Sequence, residues 1–180
     1  MTRRARRVRD GTAAARSAWQ DLRNAAELEV RVGASGWDYL VPFHESVAVT
    51  LQRLRAGVLA EGDYYWPDGR DRPKPATEDE LWADESVRES MTHSILDIFQ
   101  VGTGDPADRR AFGRTFEVTD AECARFFGTA RPTADDLARL EPDPPEALNP
   151  LLTDRGVGRH LIVYADGGPD QIYFFGCSGD

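Results

Sequence analysis

The sequence contains only two cysteines, Cys123 and Cys177, which lie far apart and have no CxxC partner. This spacing argues against a disulfide framework and against a structural zinc site, and it is typical of a protein kept in the reducing cytoplasm. Long apolar runs are also missing, since no stretch approaches the roughly 18 apolar residues that a spanning helix requires. No apolar segment follows the basic N-terminus to form a signal peptide. We therefore expect a cytoplasmic protein without a membrane partner.

Several motifs that identify enzymes are absent as well. The sequence has no glycine-rich phosphate loop, no dinucleotide-binding fingerprint, no HExxH zinc motif and no GxSxG nucleophile motif. Its three histidines, His44, His93 and His160, are too scattered for their spacing to indicate a metal site. We therefore predict no cofactor and no bound metal.

Charge is unevenly distributed along the 180 residues, whose formal net charge is −9. Residues 1–31 contain eight arginines and four acidic residues, whereas residues 32–180 contain 14 basic and 27 acidic residues. The acidic part argues against nucleic acid as the main partner, because it would repel phosphates. Weak nucleic-acid contact remains open only for the N-terminal arginines, which are Arg3, Arg4, Arg6, Arg7 and Arg9. The alternative is that this segment is a disordered tail.

The chain is predicted to consist of one domain with an N-terminal extension. Residues 1–28 combine the arginine-rich tail with a predicted helix over residues 13–28, which are rich in helix-forming types. Residues 29–180 are predicted to form a single α+β domain, because strand-like and helical segments are mixed along them.

A hairpin is predicted at the start of this domain. Val30 and Val32 alternate with charged residues as in a strand, and the small residues 33–36 indicate a turn. Residues 37–41 then read as a second strand that pairs with the first.

Helices are predicted where a capping signal precedes an apolar stripe. The clearest helix spans residues 45–60, with Gly62 placed as its stop. Three capping boxes, each with threonine at the N-cap and an acidic residue three positions later, begin at Thr77, Thr119 and Thr133.

The remaining strands are predicted in the second half of the chain. Residues 92–101 are predicted to form a strand, residues 115–118 an edge strand, and the proline-rich residues 141–150 an irregular surface segment. Residues 159–165 and 170–177 flank a Gly/Asp/Pro turn and give the strongest hairpin signal, with apolar residues that indicate burial on both faces. Together these elements predict an α+β fold with a single, mainly antiparallel sheet flanked by short helices.

One candidate site lies in the segment that contains His93, Ser94 and Asp97. On a strand, His93 and Asp97 share a face but stand roughly 13 Å apart at about 3.3 Å per residue, while Ser94 points to the other face. These three residues alone therefore cannot form a catalytic triad. His93 and Asp97 remain candidate catalytic residues if another segment supplies a partner. The alternative is that His93 is a hydrogen-bonded structural histidine.

A second candidate is a group of aromatic residues with carboxylates beside them. Tryptophan and tyrosine combine apolar area with a polar edge, which suits ligand pockets and protein interfaces alike. The alternative is that these rings cap the open end of the sheet as core residues. Asp180 adds a carboxylate that could bind a cation or an amine, or could belong to a disordered end. The predicted ligand-binding residues are Trp37, Asp38, Tyr64, Tyr65, Trp66, His93 and Asp180.

Four segments of the chain together resemble a group of uncharacterised predicted proteins from actinobacteria. The segments are residues 36–43 (GWDYLVPF), 63–67 (DYYWP), 92–97 (THSILD) and 172–180 (IYFFGCSGD), and the resemblance covers residues 36–180. It implies a cytosolic bacterial setting, but it supplies no mechanism and no catalytic residue, because the group has no established activity.

The sequence therefore favours an acidic cytosolic domain that binds a protein partner, in a regulatory or immunity-type (toxin-neutralising) role. The reasons are its acidic charge, its aromatic group and the lack of a complete catalytic motif. The alternative is a small enzyme with a pocket formed by Tyr64, Tyr65, His93 and Asp97.

Overall fold

The computed structural model describes residues 34–67, 69 and 72–179, which contain one five-stranded sheet. In chain order its strands are β1 Ala34–Pro42, β2 Gln100–Val101, β3 Arg114–Glu117, β4 Val157–Ala165 and β5 Gly168–Gly179. Their order across the sheet is β1-β5-β4-β3-β2. The β1–β5 and β5–β4 pairings are long and antiparallel, whereas the β4–β3 and β3–β2 pairings are short and parallel. The predicted α+β fold with a mainly antiparallel sheet is confirmed.

Short helices lie on both faces of the sheet. They are α1 Val47–Glu61, α2 Glu78–Ala83, α3 Glu85–Ser90, α4 Asp120–Phe127, α5 Ala134–Ala138 and α6 Pro144–Leu148, with 3-10 turns at Ile95–Asp97 and Asn149–Leu151. Helices α1, α2 and α3 contribute to one apolar core, and α4, α5 and α6 contribute to a second. Among the described helices, none combines the length and the apolar character needed to cross a bilayer.

The hairpin of β4 and β5 lies inside the sheet, as the sequence indicates. Its turn residues Asp166 and Gly167 have φ values of 50° and 83°, which is the pattern of a type I′ turn. Along β5, Ile172 and Phe174 belong to the first core, whereas Tyr173 and Phe175 belong to the second. Because alternate residues of a strand point to opposite faces, this one strand supplies both cores.

The predicted helix signals are confirmed. Helix α1 begins after Ser46, whose side chain accepts a hydrogen bond from the backbone of Val49, and it ends at Gly62 with φ 67°. Capping boxes form at the starts of α2, α4 and α5. These signals depend on residues within one turn of each other, so they could be read locally.

Two strand predictions in the first half of the chain are wrong. Residues 34–36 do not form a turn but belong to β1, because small side chains allow them to pair with the end of β5. Of residues 92–101, only Gln100–Val101 form a strand. The preceding residues form a loop with the 3-10 turn Ile95–Asp97, because Thr92 and Ser94 hydrogen-bond to a nearby carboxylate instead of entering a ladder.

Two further predictions are corrected in the second half. The strand predicted over residues 115–118 is not an edge strand, since β3 lies between β4 and β2 and is parallel to both. Residues 141–150 are not irregular throughout but contain α6, with Pro144 at its first turn, where the missing N–H costs nothing. The helix predicted over 13–28, the strand at Val30 and Val32 and the boundary after residue 28 lie outside the described residues.

Candidate functional site

The loop between α3 and β2 is built around the carboxylate of Asp97, which is fully buried. Its Oδ1 accepts hydrogen bonds from the backbone N–H and the hydroxyl of Thr92, at 2.8 and 2.7 Å. Its Oδ2 accepts from the backbone N–H of Ser94 at 3.4 Å and from the Ser178 hydroxyl. The Trp37 indole N–H donates in turn to Ser178 Oγ at 3.0 Å. Four donors are about as many as the two oxygens of a carboxylate accept, so Asp97 is a structural anchor.

The same network explains the small residues near the end of β5. The Trp37 ring lies against Gly176, where an added Cβ would come within 2.3 Å of Trp37 Cζ2. Only glycine therefore allows the indole to reach Ser178. The network joins β1, β5 and the loop before β2, which are distant in sequence.

The backbone of this loop adopts two unusual conformations. Met91 has φ 65° and ψ 175°, a region that is nearly restricted to glycine, and His93 has φ 51°. Such conformations cost about 1–3 kcal/mol each and persist where surrounding contacts enforce them. The hydrogen bonds from Thr92 to Asp97 supply that constraint.

Tyr65 and His93 of this loop form a stacked pair, with ring centroids 4.9 Å apart and an interplanar angle of 28°. Tyr65 is 47% exposed. Its backbone N–H donates to the Thr92 carbonyl at 2.8 Å, which ties the pair to the loop. His93 Nε2 lies 2.9 Å from the Ser90 carbonyl oxygen. Since a carbonyl can only accept, Nε2 carries the hydrogen. We call these two residues the Tyr65–His93 pair.

Three predicted binding residues belong to the core instead. Trp37, Tyr64 and Trp66 are each less than one-tenth exposed and lie in the first apolar core. The Trp66 indole N–H donates to the Arg72 carbonyl at 3.1 Å. The Tyr64 hydroxyl has no hydrogen-bond partner in the part of the chain that the structure describes, and burial raises the pKa of Tyr64. These rings pack, as the alternative reading of the sequence expected.

The predicted acidic site residues are dispersed. Asp38 is half-buried on β1, where its carboxylate adds to the effect of burial in raising the pKa of Tyr173. Asp97 is the anchor of the loop before β2. The distance between His93 and Asp97 that was predicted for a strand does not apply, because this segment is a loop with a 3-10 turn. Asp180 and the arginines between residues 3 and 9 lie outside the described residues. The structure thus brings Tyr65 and His93 together at the surface and links Trp37 to Asp97 in the interior through Ser178.

Two further side chains of types that could react or bind a metal, His160 and Cys123, are buried and do not form a site together. Within residues 34–67, 69 and 72–179, no group of three or more His, Cys, Asp or Glu side chains is arranged to hold a metal ion. His160 is buried, with Nδ1 3.1 Å from Thr115 Oγ1. Burial also raises the pKa of the Cys123 thiol to about 11, which keeps this thiol protonated and unreactive at neutral pH.

The sequence does not reveal two exposed phenylalanines, Phe99 and Phe112, which are 47% and 57% exposed. Phenylalanine is usually buried, so its residue type predicts the opposite. The available signal is glycine: Gly113 lies under the Phe99 ring and Gly156 under the Phe112 ring. That relation depends on contacts between segments and cannot be read along the chain.

The described surface therefore carries one candidate site among the predicted residues, the Tyr65–His93 pair, and a second surface at the two phenylalanines. Searches with protein-family models, among curated proteins and among solved structures find no match to the chain.

Proposed function

We propose that the chain is a cytoplasmic binding domain that holds a protein partner through the Tyr65–His93 pair, in a regulatory or immunity-type role. The observation that carries the proposal is the geometry of the pair. A half-exposed tyrosine stacks at 4.9 Å on a histidine that belongs to a loop fixed by a buried, fully hydrogen-bonded carboxylate. An aromatic side chain held rigidly at the surface binds with little loss of conformational entropy, which is typical of interface hot spots.

The charge of the domain favours a basic partner. Residues 32–180 carry 27 acidic and 14 basic residues. Exposed acidic residues also lie close to the pair in sequence, with Asp63 two residues before Tyr65 and Glu89 four residues before His93. Complementary charge steers a partner toward the surface and raises the association rate.

The contacts favour binding over the alternative of a small enzyme. That pocket would need Tyr64 and Asp97, but Tyr64 packs in the core, and Asp97 already accepts four hydrogen bonds. Neither side chain is placed to exchange a proton with a substrate. Of the four proposed pocket residues, only Tyr65 and His93 remain at the surface.

The test begins with affinity purification of the tagged chain from the organism that makes it, followed by identification of the bound protein. The purified partner is then titrated against the wild type, Tyr65→Ala and His93→Asn. Asparagine is chosen because it tolerates the positive φ of residue 93. We expect each variant to weaken the dissociation constant at least about tenfold, with thermal unfolding nearly unchanged.

Phe112→Ser is the matched control, since it removes an exposed aromatic ring from another surface and should bind the partner like the wild type. An immunity-type role predicts that the partner inhibits growth when expressed alone and that the wild type, but not Tyr65→Ala, relieves this inhibition. Failure to recover any partner, or a partner that binds Tyr65→Ala as tightly as the wild type, would contradict the proposal.

A further inference from the structure

Thr92 lies at the centre of the loop that carries His93, and all of its polar atoms are hydrogen-bonded. It is fully buried. Its backbone N–H and its hydroxyl both donate to Asp97 Oδ1, at 2.8 and 2.7 Å. Its carbonyl oxygen accepts from the backbone N–H of Tyr65 at 2.8 Å. Because His93 follows it directly in the chain, Thr92 connects the buried carboxylate to both members of the Tyr65–His93 pair.

The hydroxyl of Thr92 both donates and accepts a hydrogen bond. Its single hydrogen points to Asp97, so in the 2.9 Å contact between Thr92 Oγ1 and Ser94 Oγ the serine is the donor. Ser94 Oγ accepts in turn from the backbone N–H of Leu96 at 3.2 Å. Ser94 is buried as well. Removal of the Thr92 hydroxyl would therefore leave one buried serine hydroxyl without its acceptor and the carboxylate with one donor fewer.

The backbone on either side of Thr92 depends on this constraint. Met91 and His93 have φ values of 65° and 51°, which residues with a side chain seldom adopt. A loop released from Asp97 is expected to relax toward negative φ at both positions, because surrounding contacts are what maintain such conformations. This change turns the peptide groups that flank Thr92. The Thr92 carbonyl then moves away from the Tyr65 N–H, and the His93 ring moves away from the Tyr65 ring.

We propose that Thr92 is a positioning residue of the partner site, because its hydrogen bonds to Asp97 hold the rings of Tyr65 and His93 in the stacked geometry that the partner binds. The inference rests on the proposed function for the role of the pair in binding, whereas the stacking itself can be measured without a partner. Ser178 donates to the other oxygen of Asp97 and does not contact the pair through Thr92. The bonds between Thr92 and Asp97, and not the network as a whole, therefore set the geometry of the pair.

The test uses Thr92→Val, which keeps the shape of the side chain and removes the hydroxyl. The readout is the set of nuclear Overhauser contacts between the Tyr65 and His93 rings in the free protein, whose centroids lie 4.9 Å apart. These contacts are expected in the wild type and should be lost in Thr92→Val. The dissociation constant for the partner identified by affinity purification should rise at least about tenfold. Thr92→Ser restores the hydroxyl and should restore both the ring contacts and the affinity.

Two control variants separate positioning from a general loss of stability. Thr115→Val removes another fully buried threonine hydroxyl, which lies 3.1 Å from His160 Nδ1. Ser178→Ala removes one hydrogen bond from Asp97 and leaves both bonds to Thr92. Both controls should keep the ring contacts and the wild-type affinity. Loss of the ring contacts in either control would overturn the proposal, as would a folded Thr92→Val whose rings stay in contact.

Hydrogen exchange of the wild type gives a second measurement, which does not require Thr92→Val to fold. The backbone amides of Tyr65 and Thr92 should both be protected and should exchange with the same opening equilibrium, because release of Thr92 from Asp97 opens both hydrogen bonds. A Tyr65 amide that exchanges freely would overturn the proposal. A Thr92→Val variant that loses the ring contacts but binds the partner like the wild type would support positioning and contradict the proposed function, so the two can fail separately.

Discussion

The environment of His160 predicts a specific acid sensitivity. This side chain is 2% exposed on β4, with Nδ1 against the Thr115 hydroxyl and its ring 6.0 Å from that of Phe174. Burial, and to a smaller extent the adjacent Arg159, lowers the pKa of His160 to about 4 from an ordinary value of 6.5. The folded protein therefore holds this imidazole neutral at pH values where the unfolded chain protonates it.

Proton linkage gives the direction and the size of the effect of pH on the free energy of unfolding. Above pH 6.5 neither state is protonated at His160, so the full stability is present. As the pH falls from 6.5 to about 4, His160 becomes protonated in the unfolded state but stays neutral in the folded state, so the free energy of unfolding decreases. The complete shift corresponds to about 3 kcal/mol, of which about 2 kcal/mol is lost by about pH 5. This loss is a large part of the stability of an ordinary domain.

The measurement is urea unfolding followed by tryptophan fluorescence, at about pH 7.5 and about pH 5. The matched variant is His160→Gln, which cannot titrate. Its absolute stability is expected to be lower, but the change between the two pH values should be smaller by about 2 kcal/mol. Carboxylates with lowered pKa values contribute little to this difference, because they titrate mainly below this window.

Two results would refute this reasoning. The first is an equal pH dependence in the wild type and in His160→Gln. The second is an NMR titration in which the His160 ring of the folded protein gains its proton near its ordinary pKa.

Three further predictions concern the anchor, the strained backbone and the thiols. Asp97→Asn should lower the free energy of unfolding by about 3 kcal/mol, because the NH2 group of asparagine would face groups that are themselves hydrogen-bond donors. Ser178→Ala should lower it by about 1 kcal/mol. Met91→Gly should raise stability by about 1 kcal/mol, because glycine accepts φ 65° and ψ 175° without strain. An alkylating reagent at neutral pH should modify half-exposed Cys177 before buried Cys123, as judged by mass spectrometry.

Each of these has a clear contrary result. Asp97→Asn with wild-type stability would mean that the buried network contributes nothing net to folding. A destabilised Met91→Gly would mean that burial of the methionine side chain outweighs the backbone strain. Equal labelling of the two thiols in the folded protein would contradict the protection assigned to Cys123.

The parts of the fold that the sequence predicts are those encoded within a few residues. Capping boxes at Thr77, Thr119 and Thr133 and the stop at Gly62 operate within one helical turn. The final hairpin is equally local, because its turn joins consecutive strands. These elements could therefore be placed without knowledge of the rest of the chain.

The segment from Thr92 to Asp97 has a structure that its local sequence pattern does not determine. Its apolar residues are all buried, and a fully buried run has no periodicity that separates a strand from a loop. Ser94 and Asp97 do have the spacing of a capping box, and the structure uses it. The other contributor to the anchor, Ser178, is too distant in sequence for any local pattern to reveal it.

The candidate site was predicted only in part for the same reason. The sequence grouped Tyr65 with other tryptophan and tyrosine residues, but it could not distinguish Tyr65, which lies at the surface, from its neighbours Tyr64 and Trp66, which pack in the core. Adjacent residues of one loop point in different directions, and tertiary packing alone decides which side faces solvent. The exposure of Phe99 and Phe112 depends on glycines of other segments and was not predictable.

The position of β5 has a consequence for how the chain folds. Its neighbour β1 is far away along the chain, and the Trp37–Ser178 hydrogen bond spans 141 residues. Both cores need β5, since one lacks Phe174 and the other Phe175 without it. During synthesis, the edge of β1 that pairs with β5 therefore has no partner strand until β5 has been made. Neither core can therefore form before β5 has been synthesised, which favours slow folding late in synthesis. Until then, the unfinished chain exposes apolar surface that chaperones can bind.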